Sequence, residues 1–129
     1  MRAAGYCEYC RSHESFCIDP FVVDHIHPRV LGGTNALTNL AYSCGGCNTY
    51  KNMKIEAIDP LTGEIAALFH PRQQLWSEHF AWTEDFAHVN GLTASGRATV
   101  VALQLNRPAV VNLRRVLILV GKHPPMDLH

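Results

Sequence analysis

Net charge is what this sequence most plainly lacks. Eleven Lys and Arg balance eleven Asp and Glu, so the whole chain presents no basic field of the kind that marks many nucleic-acid binders. It also lacks a long hydrophobic run. The most apolar stretch, residues 113–120, is broken by Arg114 and Arg115 and falls short of the roughly 18 residues that a membrane span needs. The opening MRAAGYCEYC has no apolar core of a signal peptide and reaches cysteines at once, so the expected compartment is the cytoplasm. Disorder is excluded by a composition that is 47% hydrophobic and only 17% charged, enough apolar surface to fold. No internal repeat, low-complexity tract or linker interrupts the chain. Its 129 residues suit one domain with a modest core.

The zero net charge hides an uneven distribution. Residues 1–54 carry five basic and four acidic side chains, residues 55–87 one basic against six acidic, and residues 88–129 five basic against one acidic. The first and last segments could follow a phosphate backbone, or the pattern could be ordinary surface charge.

What is present is cysteine in a pattern. Of five cysteines, Cys7 and Cys10 form one C-x-x-C pair and Cys44 and Cys47 a second, leaving Cys17 over. A disulfide framework suits a secreted chain, and no secretion signal is visible. A thioredoxin-like redox pair needs a βαβ setting, and none surrounds either motif. Two such knuckles suit a tetrahedral zinc ion held by four thiolates, with Gly45-Gly46 allowing a tight turn. Cys17 reads as a small buried apolar residue.

The stretch FVVDHIHPRVLGGTNALTNLAYSCGGCNTYKNMK, residues 21–54, concentrates the remaining signals. Phe21-Val22-Val23 is a β-prone run that ends in Asp24-His25. Pro28 stops regular pairing and Gly32-Gly33 marks a loop. Asn35 is placed to cap one helical turn through Leu37. Residues 40–43 read as a second strand, and a helix is expected from Cys47 or Asn48 to about Ile55. The order is strand, loop, strand, helix, with zinc at the base.

These residues, Asp24-His25-Ile26-x-Pro28, Gly32-Gly33, Asn39-Leu40, Cys44-x-x-Cys47-Asn48 and Lys51, with Cys7-x-x-Cys10 upstream, resemble the zinc-bearing HNH endonucleases of the ββα-metal class. The resemblance spans residue 7 to about residue 54. It implies an α+β fold: a ββα-metal finger in residues 1–54, stapled by a four-cysteine zinc site, with a mixed α/β extension in residues 55–129 packed on it. It also implies His25 as general base, Asp24 and Asn48 as ligands of a catalytic Mg²⁺ or Mn²⁺, Asn39 as the residue that holds the loop and orients His25, and Cys7, Cys10, Cys44 and Cys47 as ligands of structural zinc. The expected substrate is DNA, and the same chemistry applies to RNA. The motifs DPLTGE, LF-x-PR, W-x-x-HF-x-W, GL-x-x-x-GRATV and LNRP further on look like the tail that follows this module in many bacterial HNH proteins.

The residue types agree with that chemistry. Histidine titrates near neutral pH and suits general-base duty. Carboxylate and amide oxygens suit a hard divalent cation. Adjacent strand residues face opposite ways, so Asp24 and His25 share a site only if the strand ends or bends there. Each residue also has a plainer reading: a surface histidine at His25, a turn carboxylate at Asp24, a helix cap at Asn48, a structural turn at Asn39. His27 reads as solvent-facing or structural, and Arg29 and Lys51 as phosphate contacts or a solvated face. A zinc-stabilised nucleic-acid-binding module without catalysis is therefore the competing function.

The tail carries less chemistry. Asp59-Pro60-Leu61-Thr62-Gly63 signals a turn, followed by a short strand over residues 65–69. A helix is expected over residues 73–80 with Trp76 and Phe80 on one face, then a strand or hairpin from Trp82 to Gly91. A helix capped by Ser95 should run to Leu105, and another should start at Pro108; its VLILV run could equally be a strand. The tail acts as scaffold, or its basic end, Arg97, Arg107, Arg114 and Arg115, helps to bind DNA.

Overall fold

The computed structural model describes residues 3–125. The first C-x-x-C knuckle closes through the Arg11 amide on the Cys7 carbonyl (3.0 Å) and the Cys7 amide on Ser12 (2.8 Å). Strand β1 (Val22–His25) then pairs antiparallel with β2 (Leu40–Ser43), with Asp24 opposite Ala41 and His25 opposite Leu40. The knuckle is zipped to the far side of this hairpin: the Glu8 amide donates to Tyr42 O (2.9 Å) and the Tyr42 amide to Glu8 Oε2 (2.7 Å).

Helix α1 (Gly45–Lys51) follows β2 directly. It starts earlier than expected because Cys44 itself is the cap, its sulfur accepting from the Cys47 amide at 3.4 Å. It stops at Lys51 because Asn52 turns to φ 50°. Gly45 and Gly46 thus open a helix and do not form the positive-φ turn that their sequence suggests.

The extension contributes two small hairpins and three helices. Strands β3 (Glu56–Ile58) and β4 (Ile65–Ala67) pair across the Asp59–Gly63 turn, where Asp59 Oδ1 accepts the Leu61 amide at 3.0 Å. Helix α2 (Trp76–His79) is shorter than expected and leads into β5 (Phe80–Trp82), which pairs with β6 (Val89–Gly91). Trp76 and Phe80 do share a face, with ring centroids 5.1 Å apart. Helix α3 (Ala94–Ala102) is capped by the Thr93 hydroxyl on the Gly96 amide (3.0 Å), not by Ser95. Helix α4 (Pro108–Leu119) settles the VLILV run as helical. Its buried face holds Val110, Val111, Arg114 and Leu117, so the arginine that interrupts the apolar run points inward.

One buried cluster joins both parts of the chain, the cysteines and Tyr9 from the knuckles packing with Phe69, Trp76, Phe80 and Leu103 from the extension. The basic end of the tail is largely spent on this assembly. Arg97 forms a two-pronged pair with Asp59 (2.8 and 2.9 Å). Arg114, 2% exposed, donates to Ala87 O (3.0 Å) and Cys10 O (3.3 Å) and lies over Trp82. Arg107 turns to the cysteines, and Arg115 alone of the four stands exposed. That geometry replaces the picture of a basic DNA-binding end with one of internal anchors.

Candidate active site and metal centre

Strand β1 ends at His25 and the chain bends before Pro28, which is why two adjacent side chains reach one place. Asp24 and His25, with Pro28 and Arg29 from the loop and Asn48, Asn52 and Met53 from α1 and its end, line one open cleft of about 240 Å³. Exposed Arg29 stands at its rim. The Asn48 side-chain amide makes no hydrogen bond among the described residues, so its oxygen is available to the cleft.

Asp24 is 4% exposed and held from two sides. Oδ2 accepts the Tyr9 hydroxyl at 2.7 Å. Lys51 places its ammonium 3.2 Å from Oδ2 and 3.4 Å from Oδ1, and donates as well to Ile26 O (3.0 Å) and His25 O (3.3 Å). Lys51 is 1% exposed, so it is not a phosphate contact on the surface; it ties α1 to the end of β1. Burial, and then the Asp24 charge, push the Tyr9 phenol well above its ordinary range, and Tyr9 stays a hydrogen-bond donor. A carboxylate offers about four acceptor positions, more than these contacts use, and Asp and Asn oxygens are the donor chemistry that suits Mg²⁺ or Mn²⁺.

His25 meets Asn35, its Nε2 lying 2.8 Å from the Asn35 amide oxygen. That oxygen can only accept, so in the neutral ring this contact favours the tautomer with the proton on Nε2 and the lone pair on Nδ1. Asn35 therefore serves the histidine, and the turn at residues 37–39 has Ala36 at its start with no side-chain cap. Asn39 does not touch His25. Its amide braces the intervening loop, accepting the His27 amide (2.8 Å) and donating to His27 O (3.0 Å) and Thr34 O (2.8 Å). Gly33 permits this loop, because a Cβ there would run into the His27 carbonyl. His27 itself is exposed, with Nε2 on Leu31 O at 2.9 Å, and it lines a different cavity with Lys54 and His70.

Beneath the hairpin the four knuckle cysteines converge. Their sulfurs all lie within 4.8 Å of one another, and Cys10 and Cys44 are 3.7 Å apart. A tetrahedral ion with Zn–S bonds of about 2.3 Å sets sulfurs about 3.8 Å apart, so the donor set fits zinc. None of these cysteines is disulfide-bonded. Burial drives the Cys7 thiol up, while hydrogen bonds from the other thiols, Cys44 first, pull Cys10 well down. Cys17 stands outside the cluster; burial lifts it to about 11, and it donates weakly to His13 O at 3.5 Å.

Residues 7–54 match the family model described as HNH endonuclease. This stretch is an HNH domain. No curated protein and no solved structure matches the chain. The HNH match and the four-cysteine cluster together make this a zinc-type, ββα-class finger, and they tie the segment to nuclease or nucleic-acid-related function. No described helix is long and apolar enough to cross a membrane. Three residues at these centres have roles that sequence reasoning misses: Tyr9, Asn35 and Arg107. Tyr9 and Arg107 sit inside recognisable motifs, the CEYC knuckle and LNRP. Asn35 looks like a helix cap in the sequence and is a histidine partner in the fold.

Proposed function

We propose that the chain is a metal-dependent endonuclease that hydrolyses phosphodiester bonds in DNA. The observation that carries this reading is the convergence of Asp24, His25, Asn48 and Arg29 on one cleft. His25 Nδ1 takes the proton of the attacking water, with its tautomer set by Asn35. Asp24 and Asn48 would hold the divalent cation by oxygen. When bound, that cation supplies charge stabilisation at the scissile phosphate and the departing 3′ oxygen. Arg29 meets a neighbouring phosphate from the rim. Asn39 acts as a positioning residue through the loop that it braces. Residues 1–54 then carry the chemistry, and residues 55–129 hold the knuckles in place.

One observation favours a second reading. Asp24 is already neutralised by Lys51 and hydrogen-bonded by Tyr9, which suits a zinc-stabilised nucleic-acid-binding module with no catalytic cation. A plasmid-nicking assay separates the two, run on wild type and His25→Ala with Mg²⁺, Mn²⁺ or EDTA. The endonuclease reading expects nicking that requires the divalent ion and disappears in the folded, zinc-loaded variant. Activity undiminished in His25→Ala would remove His25 from the mechanism. DNA binding by a wild type that nicks under no condition would establish the binding module.

A further inference from the structure

The LNRP segment of the tail has no part in the cleft, and its arginine reaches the metal centre instead. Arg107 precedes α4, and its guanidinium lies against the second knuckle: Nη2 is 3.5 Å from Cys44 Sγ and 3.6 Å from Cys47 Sγ, and Nη1 is 3.6 Å from Cys47 Sγ. Nη1 is steadied by Leu103 O (3.2 Å) and Gln104 O (3.1 Å). The guanidinium also lies over the Tyr50 ring, 5.5 Å from its centroid. Gly46, between the two cysteines, makes way for it: a Cβ there would sit 2.5 Å from Nη2. The fork is thus pinned by two carbonyls, a ring and a glycine, and its free donors face two sulfurs.

Four thiolates around one Zn²⁺ leave a net charge of −2. Three of the four sulfur ligands belong to residues fully buried, and Cys44 is 7% exposed. A buried charge of that size needs a partner, and hydrogen bonds to charged groups are the strong ones. We infer that Arg107 is the charge partner of the four-cysteine metal centre. It donates to the Cys44 and Cys47 thiolates, lowers their tendency to release the ion, and makes retention of the metal depend on the tail. Three of the four residues of LNRP then have a stated physical role. Asn106 fixes β6 through the Val89 amide and carbonyl (2.7 and 2.9 Å), Arg107 covers the thiolates, and Pro108 starts α4. Lysine cannot replace the planar fork.

This rests on the zinc reading of the cluster and not on the nuclease reading. The test uses the full-length zinc-loaded chain as wild type, Arg107→Met and Arg107→Lys. Metal content is measured first, then the rate of zinc transfer to an excess of a chromophoric chelator, then the thiolate-to-metal charge-transfer band of the Co²⁺-substituted proteins. Loss of an outer partner of a metal ligand weakens metal affinity by about 10–100-fold, and Arg107→Met should release zinc faster by a factor in that range, with a shifted cobalt band. Arg107→Lys keeps the charge but not the fork and should fall between. A folded Arg107→Met with the wild-type rate and band would overturn the inference. Should that variant not fold, Arg107→Lys decides: faster release with a shifted band supports the inference, and wild-type values overturn it. A folded wild type that holds no zinc would overturn the zinc reading itself, and this inference with it.

Discussion

Asp24 accepts a hydrogen bond from one residue distant in sequence and His25 donates one to another, and these two bonds define what the cleft can do. Tyr9, 15 residues from Asp24, fixes the carboxylate, and Asn35, ten residues from His25, fixes the imidazole. Tyr9→Phe removes one oxygen from a ring that is otherwise buried. The expected result is unchanged zinc content, a melting temperature lowered by a few degrees through the lost buried hydrogen bond, and Mn²⁺ affinity at the cleft, read by titration, down about tenfold, the low end of the effect of losing a metal ligand's supporting hydrogen bond. Unchanged Mn²⁺ affinity would show that Lys51 holds Asp24 without help from Tyr9. Asn35→Ala should slow nicking by about tenfold, equivalent to about 1.4 kcal/mol of a hydrogen bond, because Nδ1 and Nε2 then compete for the proton. An unaltered rate and pH profile in this variant would free His25 from Asn35. The cleft is legible in the sequence where its residues belong to the spaced motif of residues 21–54, as Asp24, His25 and Asn48 do. It is not legible where folding brings the partner in from elsewhere. Nothing local marks Tyr9 as the partner of a carboxylate. Lys51 looks like a surface cation because a helix rich in polar residues conceals which face meets the strand.

At the level of elements, the hairpin and the helices follow from composition, and their boundaries follow from contacts. β1 and β2 are visible through Val22-Val23 and Leu40. β3 is not, since Glu-Ala-Ile is too short to show alternation and is set by its partner β4. Thr93 displaces Ser95 as the α3 cap because β6 ends just before it. The Asp59–Arg97 pair couples the β3–β4 turn to α3, and it carries a pH signature. The Arg97 hydrogen bonds hold the Asp59 carboxyl well below the usual carboxylate range. A group depressed on folding contributes stability at pH above its unfolded value, about 3.9, and loses that contribution as pH falls below it toward the folded value. The melting temperature of Asp59→Asn should therefore lie below that of wild type at pH 6, and the gap should narrow as pH falls below about 4. A gap constant from pH 6 to the acid limit would mean that the pair contributes nothing through ionisation.

The whole molecule is one cooperative object if the metal centre is where its parts meet, and four contacts place it there. Besides Arg107 on Cys44 and Cys47, the Trp76 indole donates to Tyr9 O at 3.0 Å, Arg114 donates to Cys10 O at 3.3 Å, and Arg72 pairs with Glu8. All run from the extension to the knuckles. The apolar residues of the extension do not form a core apart from the knuckles: Phe69, Trp76, Phe80, Leu103 and Leu105 pack in one cluster with Tyr9 and the four cysteines, and the β3–β4 hairpin leaves Ile58 and Ile65 facing solvent. Structural zinc supplies apparent binding energy of about 10–16 kcal/mol, comparable to or larger than the net stability of a typical domain, about 5–15 kcal/mol. Removing the ion, or one ligand by Cys7→Ser or Cys44→Ser, should therefore unfold residues 55–125 along with the finger. Both tryptophans, Trp76 and Trp82, lie in the extension, and Trp76 bonds to the first knuckle, so their fluorescence reports the extension and its junction with the metal centre. Chelation should shift tryptophan emission to the red and abolish the helical circular dichroism in a single transition. The transition should come at lower chelator concentration as pH falls, since protons compete with the metal for the thiolates. Tryptophan emission that stays native after the zinc has gone would show instead that the extension folds without the centre that it grips.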